Sequence, residues 1–434
     1  MMRWVFSFSA IFLFLLTSPA LAMSFSEAYK QLLLRNVAYQ QARVELKASQ
    51  TLITQARGGL LPSVQATVTS GYIDGKNFED TLSQDQYDLS LRQPIYNRVA
   101  ITAYQQAKSR VLEAELGAQR ILEEQLLLLS DAYFSFMEAS ANINVSQREI
   151  SAIQGHLEQT KARLAIGLDT LADVHEASSR IEVAKVRLSA DVQSQKQAVT
   201  LLRQLVQLDL NNLNVSKVDV DALNRSFKEQ DVVVLIDEHI EQNNEVKLNR
   251  QTLESADLSV KRDKADLLPT VDLTARLTQT DTEGQFGFSD NTSRNESLRL
   301  ELNIPLFSGF QKTAKARESK YLYVAEKLSL KNTILTQTTN ILIIYGLQKT
   351  AFEKMKGLEK AFKSASEVVT LRKESYLLAI GSNLDVLNAY QNMHNRERFW
   401  LSAMFEYLSE LVRLKVTLGK FDIESSNEID ELML

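Results

Sequence analysis

No cysteine occurs anywhere in the chain. Disulfide staples are therefore excluded, and so is lipid attachment to an N-terminal cysteine. Proline is nearly as scarce: there are five in 434 residues, and Pro19 lies in an N-terminal leader. Chain without proline is free to continue as helix for long distances. Net charge is only −5, with both signs interspersed, so no basic stripe marks a nucleic-acid partner. Beyond residue 22 no apolar run approaches the roughly 18 residues that a membrane-crossing helix needs. Two possibilities remain: a soluble exported protein, or one that crosses a membrane as a β-barrel, whose sequence signal is much weaker. Catalytic signatures are missing as well, with no Gly-rich phosphate loop, no HExxH and no GxSxG. The four histidines, His156, His175, His239 and His394, are scattered and form no metal-spaced group. Each reads as a solvated or helix-packed side chain. Neither enzyme activity nor a cofactor or metal site is expected.

What is present begins with MMRWVFSFSAIFLFLLTSPALA. A basic start at Arg3, a short apolar run and Ala20-Leu21-Ala22 make residues 1–22 a secretory signal peptide, with the mature chain starting near Met23. An exported, cysteine-free chain of this length suggests a bacterial envelope.

The remaining prolines, Pro62, Pro94, Pro269 and Pro305, punctuate the chain. Residues 95–268 and 306–434 have none and are rich in Ala, Leu, Gln, Glu, Lys and Arg, the strong helix formers. Tyr104, Ala107, Val111, Ala114, Ala118, Ile121, Leu128 and Ala132 follow three- and four-residue steps if Gln125 is accepted, a coiled-coil seam whose alanines permit close approach. A helix from about residue 99 to 164 would be about 100 Å long. Inside each proline pair the period changes to two. Val64, Ala66 and Val68 alternate with polar residues, as do Tyr87, Leu89 and Leu91, then Val271, Leu273, Ala275 and Leu277, then Leu298, Leu300, Leu302 and Ile304. Strands are predicted at about 63–73, 86–94, 270–280 and 296–304, joined in pairs by polar glycine-containing loops, YIDGKNFEDTLSQ and DTEGQFGFSDNTSRN. One face is apolar and the other polar, and the length suits a tilted membrane strand.

The two blocks echo each other. LLPSVQATV from Leu60 returns as LLPTVDLTA from Leu267, and AIGLDTLADV returns as AIGSNLDVLNA. The intervals are 207 residues from Pro62 to Pro269, 211 from Pro94 to Pro305 and 214 from Gly167 to Gly381. Intervals so nearly constant indicate internal duplication. The expected units are residues 23–228 and 229–434, with long helices over about 98–209 and 310–419.

The phrases RGGLLPSVQATVTSGYIDG, YDLSLRQPIY, LSDAYFSFMEA, LEQTKARLAIGLDTLADVHEA, DLLPTVDLTA, LRLELNIPLFSGF and IGSNLDVLNA, in this order, resemble the TolC family of outer membrane efflux and secretion channels across the mature chain. The resemblance implies a mainly α protein with a small β-barrel portion, in which three protomers each give four strands to a shared twelve-stranded barrel. The helices then form a tunnel across the periplasm. It also implies a periplasmic adaptor and an inner-membrane pump of RND or ABC type as partners, with outer membrane lipid around the barrel. An even strand count agrees with the need to leave no open sheet edge in lipid.

In this resemblance the glycine turns lie at the periplasmic tip, where a helix ending at Gly167 or Gly381 lets the chain reverse. Asp173, Asp385 and Asn388 match positions around the family's constriction, Asn388 standing where the family has a second Asp. The second turn reads about two residues shorter than the first, and no Arg lies between Gly381 and Asp385. Threefold symmetry would make Asp385 a ring of carboxylates; equally, Asp173 and Asp385 are helix N-terminal acids favoured by the dipole. Adaptor docking is expected at Leu164, Ile166, Gly167, Leu168, Ile380, Gly381 and Ser382. Pro62, Pro94, Pro269 and Pro305 mark the helix–strand junctions. Against this stand a soluble periplasmic adaptor, which also carries a long helical hairpin but has no need of four membrane-length strands, and, more distantly, an exported hydrolase.

Overall fold

The computed structural model describes residues 23–74, 81–208, 218–284 and 291–433. The signal-peptide expectation and the central parts of both hairpin loops lie outside the described residues. Two short helices, α1 (Phe25–Arg35) and α2 (Val37–Gly58), lead into strands β1 (Ser63–Asp74) and β2 (Thr81–Tyr96). Then come α3 (Arg98–Ala165) and α4 (Leu171–Val206), followed by the short α5 (Val220–Ser226) and α6 (Val232–His239) and by α7 (Asn244–Ala265). Strands β3 (Thr270–Gly284) and β4 (Asn291–Asn303), helices α8 (Gln311–Leu377) and α9 (Asn383–Thr417), and a terminal α10 (Ile423–Glu431) complete the chain.

With 68 and 67 residues, α3 and α8 each run about 100 Å. Neither contains proline, so no turn of either lacks its backbone donor. In the half near the sheet, α2 and α7 pack on α3, and α7 also reaches α8; in the far half α4 and α9 take those places. The alanine seam is followed in part: Ala107, Ala118 and Ala132 are buried, whereas Leu128 is exposed and Leu126 and Leu129 are buried in its stead. A straight helix of 3.6 residues per turn drifts from a strict heptad, so the buried stripe slips past Leu128.

The core lies among the helices rather than under the sheet. Where α1, α5 and α10 gather at mid-height, Phe25, Tyr133, Leu202, Met355 and Tyr407 form one continuous apolar cluster. Asp430 of α10 accepts hydrogen bonds from the N–H groups of Phe25 (2.7 Å) and Ser26 (3.1 Å), tying the last helix to the first. Farther down, an ionic layer crosses the wall: Arg398–Asp191 at 2.8 Å, Arg187–Glu149 at 3.2 Å, and Arg148–Glu397.

All four strands form one antiparallel sheet in the order β1-β2-β3-β4. Its apolar face carries a groove lined by Val64, Leu89, Ala275, Leu277 and Leu298. On the opposite face Arg92 meets Asp272 at 2.9 Å and Arg276 meets Asp88 at 3.1 Å, amid Ser90, Thr274 and Thr278. The strands outrun the expectation: β2 begins at Thr81 and β4 at Asn291, because backbone pairing continues where the apolar face turns polar at Asp85, Asp281 and Arg294. The proline boundaries are less uniform than expected. Pro62 and Pro269 directly precede β1 and β3, and Pro305 lies two residues beyond β4, but Pro94 sits inside β2 at a register irregularity before Tyr96. A bulge accommodates the missing donor there.

Candidate functional site

The ends of the helical hairpins farthest from the sheet are built from two turns of identical form. In the first, α3 is capped at Ile166 and Gly167 takes a left-handed φ of 79°. Its N–H bonds the carbonyl of Leu164 (3.0 Å) and that of Leu168 bonds Arg163 (2.9 Å), the paired bonds of a Schellman cap. In the second, Ala379 takes φ 59°, its N–H bonding Tyr376 (3.1 Å), and Ile380 bonds Ser375 (3.0 Å). Two expectations are thereby corrected. Gly381 is not the residue on which α8 reverses, and the second turn is not shorter: Ile166 to Thr170 and Leu378 to Ser382 span equal lengths. The AIG phrase sits two residues later in the second turn than in the first, so aligning the glycines misplaced the cap. Gly381 has a different constraint, because a Cβ there would lie 3.1 Å from the Ser375 side chain and 3.3 Å from its carbonyl carbon.

Both returning helices open with a capping box. Thr170 and Ser382 accept the N–H of Asp173 and Asp385, each at 3.2 Å, and the two carboxylates accept in return from the cap residues' N–H and hydroxyl groups. Hydrogen bonding from the Thr170 and Ser382 hydroxyls holds both carboxyls below the ordinary carboxylate range, so both stay ionised. The helix-terminal role of these acids is therefore present within one chain. Ile166, Leu168, Leu378 and Ile380 are exposed around the turns, Leu164 is half-buried, and Gly167 and Ser382 are exposed.

Between the two turns lies a polar cluster that sequence reasoning missed. The carboxylate of Asp169 accepts a hydrogen bond from the Tyr376 hydroxyl and a second from Arg163 Nε (3.2 Å), whose guanidinium stacks 4.4 Å from the Tyr376 ring centre. Asn383, buried, accepts from His156 Nε2 (2.7 Å) and donates to the Asp173 carbonyl (3.1 Å). The Thr160 hydroxyl lies 3.3 Å from both Tyr376 and Asn383. Burial pushes the Tyr376 phenol up and the His156 imidazole down, so both are neutral at pH 7. About two turns higher, Arg180 of α4 donates to Gln391 and to Asn388 Oδ1 (3.3 Å) of α9 and pairs with Glu176 (2.8 Å). Asn388 thus serves as an acceptor for an arginine of the neighbouring hairpin. His239 and His394 are packed among helices and His175 is exposed. Among the described residues no three His, Asp or Glu side chains group as metal ligands.

A four-stranded sheet with one apolar and one ion-paired face can meet lipid and water together only as part of a channel wall, and the long helices prolong that wall. The outer membrane efflux protein family profile matches residues 28–206 and 235–420, and the chain belongs to that family. It is an outer membrane exit duct whose helices project into the periplasm. Among curated relatives, the proteases secretion protein PrtF of Dickeya chrysanthemi is 23% identical, over 96% of this chain and 91% of its own length. The alkaline protease secretion protein AprF of Pseudomonas aeruginosa is also 23% identical, over 97% and 89%. The crystal structure of CusC superposes with a TM-score of 0.81 at 13% identity, covering 92% of each chain, a likeness of fold.

Proposed function

We propose that three copies of this chain close a single twelve-stranded barrel and form the exit duct of a type I secretion system, joined at its periplasmic tip to an adaptor and an ABC-type pump. The observation that carries the assembly is the open sheet. Among the described residues β1 pairs only with β2 and β4 only with β3, so two edges remain that lipid could not satisfy. Pairing β4 of one copy with β1 of the next removes both. The names of the first curated relatives, both protease secretion proteins, support secretion as the transport performed; the family's description as outer membrane efflux proteins supports efflux as a second reading, for which the pump would be of RND type. Transport of this kind breaks no bond, so the chain acts as a conduit and not as an enzyme.

In this reading the polar cluster of Asp169, Arg163, Tyr376, His156 and Asn383, with the Arg180–Asn388 link, holds the two hairpins together at the tip and keeps the tunnel narrow. Asp173 and Asp385 supply carboxylates to the constriction in addition to capping their helices, and threefold repetition of Asp385 attracts cations. The exposed residues of 164–169 and 378–383 meet the adaptor. We read the near-equal lengths of α3 and α8, and of α4 and α9, as support for two duplicated units. Detergent extraction of the outer membrane followed by mass measurement tests the assembly, a monomer in the soluble periplasm being the result that defeats it. Photocrosslinkers at Ile166 and Ile380 identify the partner, and capture of an ABC-linked rather than an RND-linked adaptor decides between the two transport readings.

A further inference from the structure

The charges on the polar face of the sheet are sorted by row. Strand register sets Ser63, Arg92, Thr274 and Arg299 side by side across the four strands, and Gln65, Ser90, Arg276 and Ser297 in the next row on the same face. These two rows hold only arginine and uncharged polar side chains. The acids stand in the rows outside them: Asp272 opposite Glu301 toward the helices, and Asp88 opposite Thr278 toward the hairpin loops. Strand spacing puts the backbones of Arg92 and Arg299 about 10 Å apart, with Arg276 one strand and one row from each. No lysine occurs in β1 to β4. The ion pairs present the cations and sink the acids. Arg92 reaches Asp272 at 2.9 Å and Arg276 reaches Asp88 at 3.1 Å, yet the arginine side chains are 64% and 63% exposed against 9% and 12% for the carboxylates. Asp88 is held to the sheet further by the Thr278 hydroxyl, which donates to it at 3.0 Å. Among the described residues the exposed Arg299 has no carboxylate within ion-pair distance, and its neighbour Glu301 accepts instead from the Thr274 hydroxyl at 3.3 Å.

A groove of about 530 Å³ runs over these rows, lined by Ser90, Arg92, Thr274, Arg276, Ser297 and Arg299. That is room for a small polar group with its water. Arg92 and Arg276 have no further partner among the described residues, so most of their N–H donors are open to what passes. A guanidinium fork meets a carboxylate through two parallel hydrogen bonds, which an ammonium cannot do. We propose that this groove binds carboxylates, and that its ligand is an acidic segment of a polypeptide in transit through the barrel. The six charges of the four rows cancel, so the selectivity comes from exposure: the arginines face the lumen and two of the three acids do not. Three such arginines in each of three copies place nine around one lumen, and an extended acidic chain can engage several clusters where a lone anion engages one. Asp173 and Asp385 give the opposite charge to the far end of the duct, so an acidic segment is repelled at the tip and held near the exit, which opposes its return. This rests on the secretion reading and names the class of cargo it would carry.

Single-channel recording of the full-length protein in planar bilayers tests the site, with hexaglutamate added on the barrel side, away from the acidic tip. Reversible interruptions of the current are expected with hexaglutamate and not with hexalysine, and they should shorten as salt is raised. Arg299→Gln removes the arginine that has no ion pair to break among the described residues, and should shorten the interruptions severalfold. Arg299→Lys keeps the charge and loses the fork, so its interruptions should fall between the two. Should the glutamine variant assemble poorly, the lysine variant still answers, because interruptions as long as the wild type's would remove the fork from the site. Equal interruptions in wild type and Arg299→Gln overturn the proposal, as do interruptions by hexalysine as long as those by hexaglutamate. Inorganic phosphate at matched charge that interrupts the current for as long as the peptide would make the groove a small-anion site and overturn the polypeptide assignment. Protein that inserts without giving current steps sinks the channel reading itself, a result distinct from conducting channels that ignore the peptide.

Discussion

Tyr376 joins the two hairpins at the tip. It donates to Asp169 from the other hairpin, stacks under Arg163 and lies beside His156, with ring centres 4.9 Å apart. Phenylalanine would keep the stacking and remove the hydrogen bond to a charged acceptor, a loss of about 1.5–3 kcal/mol. Tyr376→Phe is therefore expected to raise single-channel conductance in planar bilayers, and an unchanged conductance would remove this bond from the lock. His156 adds a dependence on pH. Burial lowers its pKa from 6.5, against the opposing influence of Asn383, Gln159 and Asp169 and with Lys373 adding to the lowering. A base with a depressed folded pKa contributes stability that is complete above its unfolded value and is lost as pH falls through the folded one. Acidification below about pH 6.5 should therefore loosen the tip, read as faster hydrogen exchange at Asn383, and His156→Gln should flatten that dependence. The capping acids were legible in the sequence because T-x-x-D and S-x-x-D act within four residues. Asp169 was not, because its partner Tyr376 is 207 residues away.

At the scale of the element, the two turns show how far a motif can be trusted. The long helices and the period-two strands followed from proline placement and patterning, since those signals are local, whereas the short α5, α6 and α10 left no such signal. The second cap was misread because a glycine stands nearby while an alanine takes the left-handed position. Relieving that position has a measurable effect: Ala379→Gly should stabilise the turn by ~1 kcal/mol. Amide exchange at Leu378 to Ile380 should then slow about fivefold. Gly381→Ala should act in the opposite direction, because its new methyl meets Ser375 backbone and side chain at 3.1–3.3 Å. If Ala379→Gly speeds exchange, the left-handed assignment at that residue is wrong. Strand ends were illegible for a similar reason, since pairing in β2 and β4 runs on through polar stretches that carry no alternation.

The whole molecule turns on which face of the sheet meets lipid. The exposed leucines of β4 alternate with Arg299, Glu301 and Ser297, and only a membrane on one side and water on the other gives both sets a favourable environment. Two substitutions on the same strand therefore separate the faces. Leu300→Arg places a charge in the lipid band at a cost of about 2–4 kcal/mol per protomer near the bilayer midplane, and if three protomers share one barrel the cost is incurred three times. Ser297→Arg adds the same charge toward the water-filled side, near Arg276 and Arg299, where solvent screens it. The expected outcome is a several-fold loss of assembled protein in the outer membrane fraction for Leu300→Arg and near-normal assembly for Ser297→Arg, which would alter ion selectivity instead. Equal tolerance of both would contradict the assignment of faces. Sensitivity at 297 with tolerance at 300 would invert the barrel and move the ion pairs Arg92–Asp272 and Arg276–Asp88 into lipid.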